Sequence, residues 1–154
     1  EVGQGPLGQD HEPASTHWSS ACPDCQRSYH NRRPHGALDW RLAIGMLDLG
    51  AGRPLDRERW SAPGAILAEA LSRTPQMSLV NGTTDNGVAY LADRAASKAV
   101  LLGHPLWRRD PNYAVEDQVL ATDLLESEEG YADVQFVDVF TATRRPLAVL
   151  KCLF

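Results

Sequence analysis

The chain has 154 residues, 43% of them hydrophobic and 23% charged, which is enough apolar content for a core and excludes wholesale disorder. No run approaches the roughly 18 consecutive apolar residues a membrane-spanning helix needs. The net charge of −5 gives the molecule as a whole no attraction for nucleic acid, so binding of that kind has to come from a local cluster.

In chain order, residues 1–13 carry neither a cationic start nor an apolar run. The chain opens on Glu1 rather than Met, and it is expected to be the C-terminal part of a longer polypeptide. Cys22-Pro23-Asp24-Cys25 is a C-x-x-C pair. With Cys152 it makes an odd set, so a disulfide framework is not expected, and a cytoplasmic location is. The redox use of such a pair requires a preceding strand, and none is legible. Zinc takes thiolate and neutral imidazole in tetrahedral geometry, so Cys22 and Cys25 with His17 and His35 form a candidate Cys2His2 site, with His11 and His30 close by. The alternative is two ordinary thiols among surface imidazoles.

The next segment is rich in arginine. Of 15 cationic side chains only Lys98 and Lys151 are lysine, and Arg27, Arg32, Arg33 and Arg41 fall close together. Arginine makes planar, bidentate contacts to phosphate, which points to nucleic-acid binding. The alternative is a solvated face that pairs with the nine acids between Asp110 and Asp138, a stretch containing no base. Residues 37–49 read as an amphipathic helix with Leu38, Leu42, Ala43, Met46 and Leu47 on one stripe and Asp39, Arg41, Gly45 and Asp48 off it. Asp39 suits the helix N-terminus, and Gly50 and Gly52 end the helix.

Residues 52–60 are expected to be a linker. Ser61 is placed to cap a helix over 62–71, with Pro63 in its first turn. Short apolar runs at 77–80, 88–91 and 99–102, separated by Asn-Gly and Asp-Asn-Gly turns, predict an antiparallel meander. A helix over 115–125, a mostly buried strand over 134–140 and a closing helix over 143–153, capped by Thr143, complete the reading. The fold class is therefore α+β. A small Cys/His module (1–51) with an amphipathic helix is followed by an α/β unit (61–154) whose short, mainly antiparallel sheet is flanked by helices.

The run from Ala21 to Leu49, ACPDCQRSYHNRRPHGALDWRLAIGMLDL, resembles a segment near the C-terminus of DEAD/DEAH-box superfamily-two helicases of the mitomycin-repair type, which carry a four-cysteine zinc-binding domain. Cys22, Cys25, Arg27, Ser28, Tyr29, Asn31, His35, Leu38, Asp39, Trp40, Arg41 and Leu42 fall in register. Val80-Asn81-Gly82 and Gly103-His104-Pro105-Leu106-Trp107 look like the tail that follows. The resemblance implies an accessory region whose ATP-dependent motor domains lie upstream, with DNA or RNA as partner, zinc as cofactor, no membrane, and a place in DNA repair or phage defence. Trp18 stands where the family has a further cysteine, leaving His17 or His11 to substitute. With the pair fixed by metal, Arg27, Tyr29, Arg32, Arg33 and Arg41 are the candidate contacts to phosphates and an unstacked base.

The order helix, three strands, helix, strand in the second unit resembles the core of PD-(D/E)xK nucleases. These place an acid on the second strand and an acid-x-Lys on the third to hold Mg²⁺. Here Asp85 lies in a turn, and Ala96 occupies the position two before Lys98. Glu69 and Gln118 fall on the two helices. An inactive relative is expected, and a degenerate nuclease domain is the alternative function. A third reading is a protein-interaction module that uses the acidic 110–138 stretch. No Walker phosphate loop, dinucleotide-binding glycine motif or nucleophile elbow is present. His104 is either catalytic or the corner of a Gly-His-Pro turn that anchors Trp107. Arg144 and Arg145 face either phosphate or the Glu126–Glu129 acids.

Overall fold

The computed structural model describes residues 39–75 and 77–154. The chain divides at Arg53/Pro54 into two compact units.

In the first unit, helix α1 spans Trp40–Gly50. It starts where the Asp39 carboxylate accepts the Arg41 backbone N–H at 3.0 Å, the usual device for satisfying an orphan donor at a helix N-terminus. It ends at Ala51, with Gly52 at φ 69°. The buried face differs from the one the apolar stripe predicts. Asp39, Gly45 and Asp48 are buried, whereas Met46, Leu47 and Leu49 are 50–68% exposed. The two buried carboxylates are bonded locally: the Arg53 Nε donates to Asp48 at 2.9 Å, and Arg41 clasps Asp39.

The second unit runs α2 (Glu58–Ser72), β1 (Leu79–Thr83), β2 (Ala89–Asp93), β3 (Lys98–Gly103), a 3₁₀ turn (Pro111–Tyr113), α3 (Glu116–Ser127), β4 (Asp133–Asp138), α4 (Val139–Arg144) and α5 (Pro146–Leu153). The four strands lie in sequence order, with β1–β2 and β2–β3 antiparallel and β3–β4 parallel. The parallel pair follows from α3, since parallel neighbours need a crossover of this kind.

Strand register sorts side chains onto two faces. Tyr90, Ala92, Ala99 and Leu101 share one face with α3, where Ala121 and Leu125 join them in the core with Trp107 and Tyr131. Ala89, Leu91, Val100 and Leu102 lie on the other. There a Cβ on Gly64 of α2 would stand 3.2 Å from the Val139 side chain and 3.4 Å from both Ala89 Cβ and the Leu102 carbonyl oxygen, so the bare glycine lets the helix lie close against the sheet. Val149 and Leu153 of α5 are fully buried, and α5 packs on β3. Each fully buried Leu or Val contributes roughly 1.5–3 kcal/mol.

The structure corrects three expected boundaries. Helix α2 begins at Glu58, within the expected linker, because Trp60 is 3% exposed and a helical turn directs it into the core. The Asp56 carboxylate accepts the Glu58 N–H at 3.1 Å, so Ser61 is no cap, and Pro63 lies in the helix interior. Strand β4 ends at Asp138, whose Oδ1 accepts the Thr141 N–H at 2.7 Å and starts α4, so Val139 and Phe140 are helical. The expected closing helix is two helices that meet at Arg145, with Pro146 opening the second.

Candidate functional site

The chemistry of the second unit gathers at one end of its sheet. Because Ala89 pairs with Leu102, the β1–β2 hairpin turn and the loop after β3 emerge side by side, next to the first turn of α2. Residues Arg57, Trp60, Ser61, Asn86, His104 and Trp107 line a cleft there.

Each wall has a local cause. Gly87, at φ 82°, allows the Asp85-Asn86 turn. The Thr84 hydroxyl clamps this turn by donating to Val88 O at 3.1 Å and accepting the Val88 N–H at 3.1 Å. Asn86 Nδ2 donates to the Asp117 carbonyl at 2.7 Å, and Arg57 pairs with the Asp117 carboxylate at 2.5 Å, which ties hairpin, α2 and α3 together. Gly103 closes β3 where a Cβ would stand 2.6 Å from the Phe136 ring and 2.7 Å from the Trp107 ring.

His104 is 3% exposed. Its Nδ1 accepts the Leu106 N–H at 3.1 Å, which places the proton of the neutral ring on Nε2. Trp60 meets the ring edge-on at 6.0 Å and Trp107 lies 6.3 Å away. This burial, reinforced by the Arg59 guanidinium, lowers its pKa to about 4, so the ring is neutral at neutral pH. The Trp107 backbone N–H donates to His104 O at 3.0 Å, and the Trp107 side chain is buried. The Gly-His-Pro corner thus anchors the tryptophan, as one of the two sequence readings has it.

Two arginines of this unit stack on aromatic rings. The Arg108 guanidinium sits 5.4 Å over the ring of Tyr113, which is exposed. Arg144 covers Phe140 at 3.6 Å. Arg109 joins this loop to α4 by donating to Asp138 at 3.0 Å. Neither Arg108 nor Tyr113 stands out in the sequence as a site residue. The signal was Trp107-Arg108-Arg109 followed by Tyr113 in a polar loop.

Of the residues selected from sequence, Cys22, Cys25, His17, His35, Arg27, Tyr29, Arg32 and Arg33 lie outside the described residues. Arg41 is described, and its Nε and Nη2 donate to Asp39 at 3.1 and 3.0 Å. Its guanidinium is therefore engaged within the turn that starts α1. Cys152 is a free thiol on α5, pushed up in pKa by burial.

The side chains present do not fit a nuclease-type Mg²⁺ clamp. Asp85 is exposed on the hairpin and Ala96 is exposed before β3. Lys98 starts β3 at the end remote from His104, and its Nζ donates to Phe154 O at 3.1 Å. Among the described residues no three His, Cys, Asp or Glu side chains group so as to hold a metal ion. No helix among them is long and apolar enough to cross a membrane.

Comparison with known proteins finds no family model, no curated protein and no solved structure that matches the chain.

Proposed function

We propose that the chain is a cytoplasmic accessory region of a DEAD/DEAH-box-type helicase that assists binding of DNA or RNA and carries no chemistry of its own. The observation that carries this reading is the register of Cys22, Cys25, Arg27, Ser28, Tyr29, His35 and the Leu38–Leu42 run with the helicase segment. Helix α1, capped by Asp39, forms its C-terminal part. In this reading Cys22, Cys25, His17 and His35 hold a zinc ion that stiffens the Arg27–Arg33 loop, and the ATP-hydrolysing motor lies upstream in the same protein. The Arg108–Tyr113 pair adds a second contact, since a guanidinium beside an exposed ring suits a phosphate next to a stacked base.

A degenerate nuclease domain is the second reading. It is favoured by the order α2-β1-β2-β3-α3-β4 in a 1-2-3-4 sheet with β3 parallel to β4. It is compatible with the first, since a nuclease-like core without its carboxylate pair retains a surface that binds.

One titration tests both. Labelled single-stranded oligothymidine is added to the full chain with Mg²⁺ present, and anisotropy is followed at several salt concentrations. For about three phosphate contacts, affinity is expected to drop roughly 20-fold between about 50 and 200 mM salt. An Arg108→Ala/Tyr113→Ala variant should bind more weakly. Absent or salt-insensitive binding would refute the accessory reading, and Mg²⁺-dependent cleavage of the label would replace it with an active nuclease.

A further inference from the structure

We infer that the groove between α3 and the open edge of β4 is a docking site for an extended basic peptide, which adds to the sheet as a fifth strand. Three independent observations meet there. The first is the edge itself. Among the described residues, strand β4 is terminal in the sheet and pairs only with β3. Asp133 N–H donates to Ser97 O at 3.3 Å, which sets the phase of this parallel ladder. Asp133, Gln135 and Val137 turn their backbone groups toward β3, and Val134 and Phe136 turn theirs outward. An edge with unpaired N–H and C=O groups is a template for another strand.

The second observation is the groove beside that edge, of about 510 Å³, lined by Gln118, Val119 and Thr122 of α3 with Val134 and Phe136 of β4. Gln118 is 5% exposed, and its Oε1 is buried without a hydrogen-bond partner. A buried, unpaired amide oxygen is costly, and a donor side chain of the peptide entering the groove would satisfy it. Val119 remains 42% exposed beside it, offering apolar contact to alternate side chains of an added strand.

The third is charge, which selects the occupant. Residues 111–137 contain no Lys, Arg or His. Asp123 lines the groove, and the two elements that form it carry Glu116, Asp117, Glu126 and Asp133 with no base among them. Arg109, the one base in the lining, is held by Asp138. An acidic strand, including a second copy of this one, is repelled; a strand alternating lysine with valine satisfies backbone, pocket and charge together.

The test uses the full chain and a fluorescein-labelled Lys-Val alternating octapeptide, followed by anisotropy. Micromolar binding is expected, at least about tenfold weaker for the same peptide N-methylated on alternate amides, which keeps its charge and blocks strand pairing. Asp123→Lys should weaken binding further. Val134→Pro removes an outward N–H but no ladder bond, so it should weaken binding; Val134 also packs against the core, so the methylated peptide decides the matter if this variant fails to fold. Equal binding of plain and methylated peptides, or no binding, overturns the proposal. So does a self-association that Val134→Pro abolishes, which would mean that a second copy covers the edge. Oligothymidine competing for the groove and gaining affinity in Asp123→Lys would assign it to nucleic acid instead.

Discussion

His104 shows how a single ring couples the cleft to pH. Its folded pKa of about 4 lies below the unfolded value near 6.5, so between those values the unfolded chain binds the proton and the folded chain does not. Stability is therefore at its plateau above about pH 6.5 and falls as pH drops toward 4, by at most about 3 kcal/mol at roughly 1.4 kcal/mol per pKa unit. Melting curves taken from pH 7 to 4 should show this decline. A His104→Gln variant should start less stable but with a shallower decline; an unchanged slope would show that the ring does not carry it. The ring was legible in the sequence only as a corner, from Gly103, Pro105 and Trp107 around it. Its aromatic enclosure was not, because Trp60 and His104 are brought together by the tertiary fold.

At the scale of elements, the ends of helices decide what periodicity leaves open. The meander appears within three residues of its expected limits, since alternating apolar runs and Asn-Gly turns are local signals. The end of β4 was hidden because Val139 and Phe140 prolong the apolar run, while the signal that stops it is Asp138 with Thr141 three residues on. Replacing Asp138 with Ala should cost about 1–2 kcal/mol through the lost cap, with little more from the pair with Arg109, whose guanidinium is largely exposed. Asp138→Asn should recover most of that loss, as read by chemical denaturation; equal losses in both variants would assign the effect to charge rather than capping. Helix α1 teaches the complementary lesson. An apolar stripe marks a face able to be buried, yet at α1 Asp39 and Asp48 are buried while Met46 and Leu47 stay exposed. The Arg57–Asp117 pair and the Asn86 bond to Asp117, separated by 60 and 31 positions, carry no sequence signal.

On the scale of the whole molecule, the sheet joins two kinds of pairing. Strands β1, β2 and β3 follow one another through short turns, whereas β4 reaches β3 only after residues 104–132 have crossed over as α3. Contacts between distant positions form late and slowly. Val137→Ala in β4 should therefore mainly speed unfolding, and Leu91→Ala in β2 should slow folding, in stopped-flow measurements across denaturant. Val137→Ala slowing folding as much as Leu91→Ala would refute this order. The strand laid down last is also the first laid bare when the unit opens, a moment at which most edge strands risk joining their own kind. Asp133 and Asp138 bracket this one, and two copies brought edge to edge would set like charges against each other. The acidity of the segment thus acts as a guard during synthesis and partial unfolding, admitting a cationic stranger while turning away its own twin.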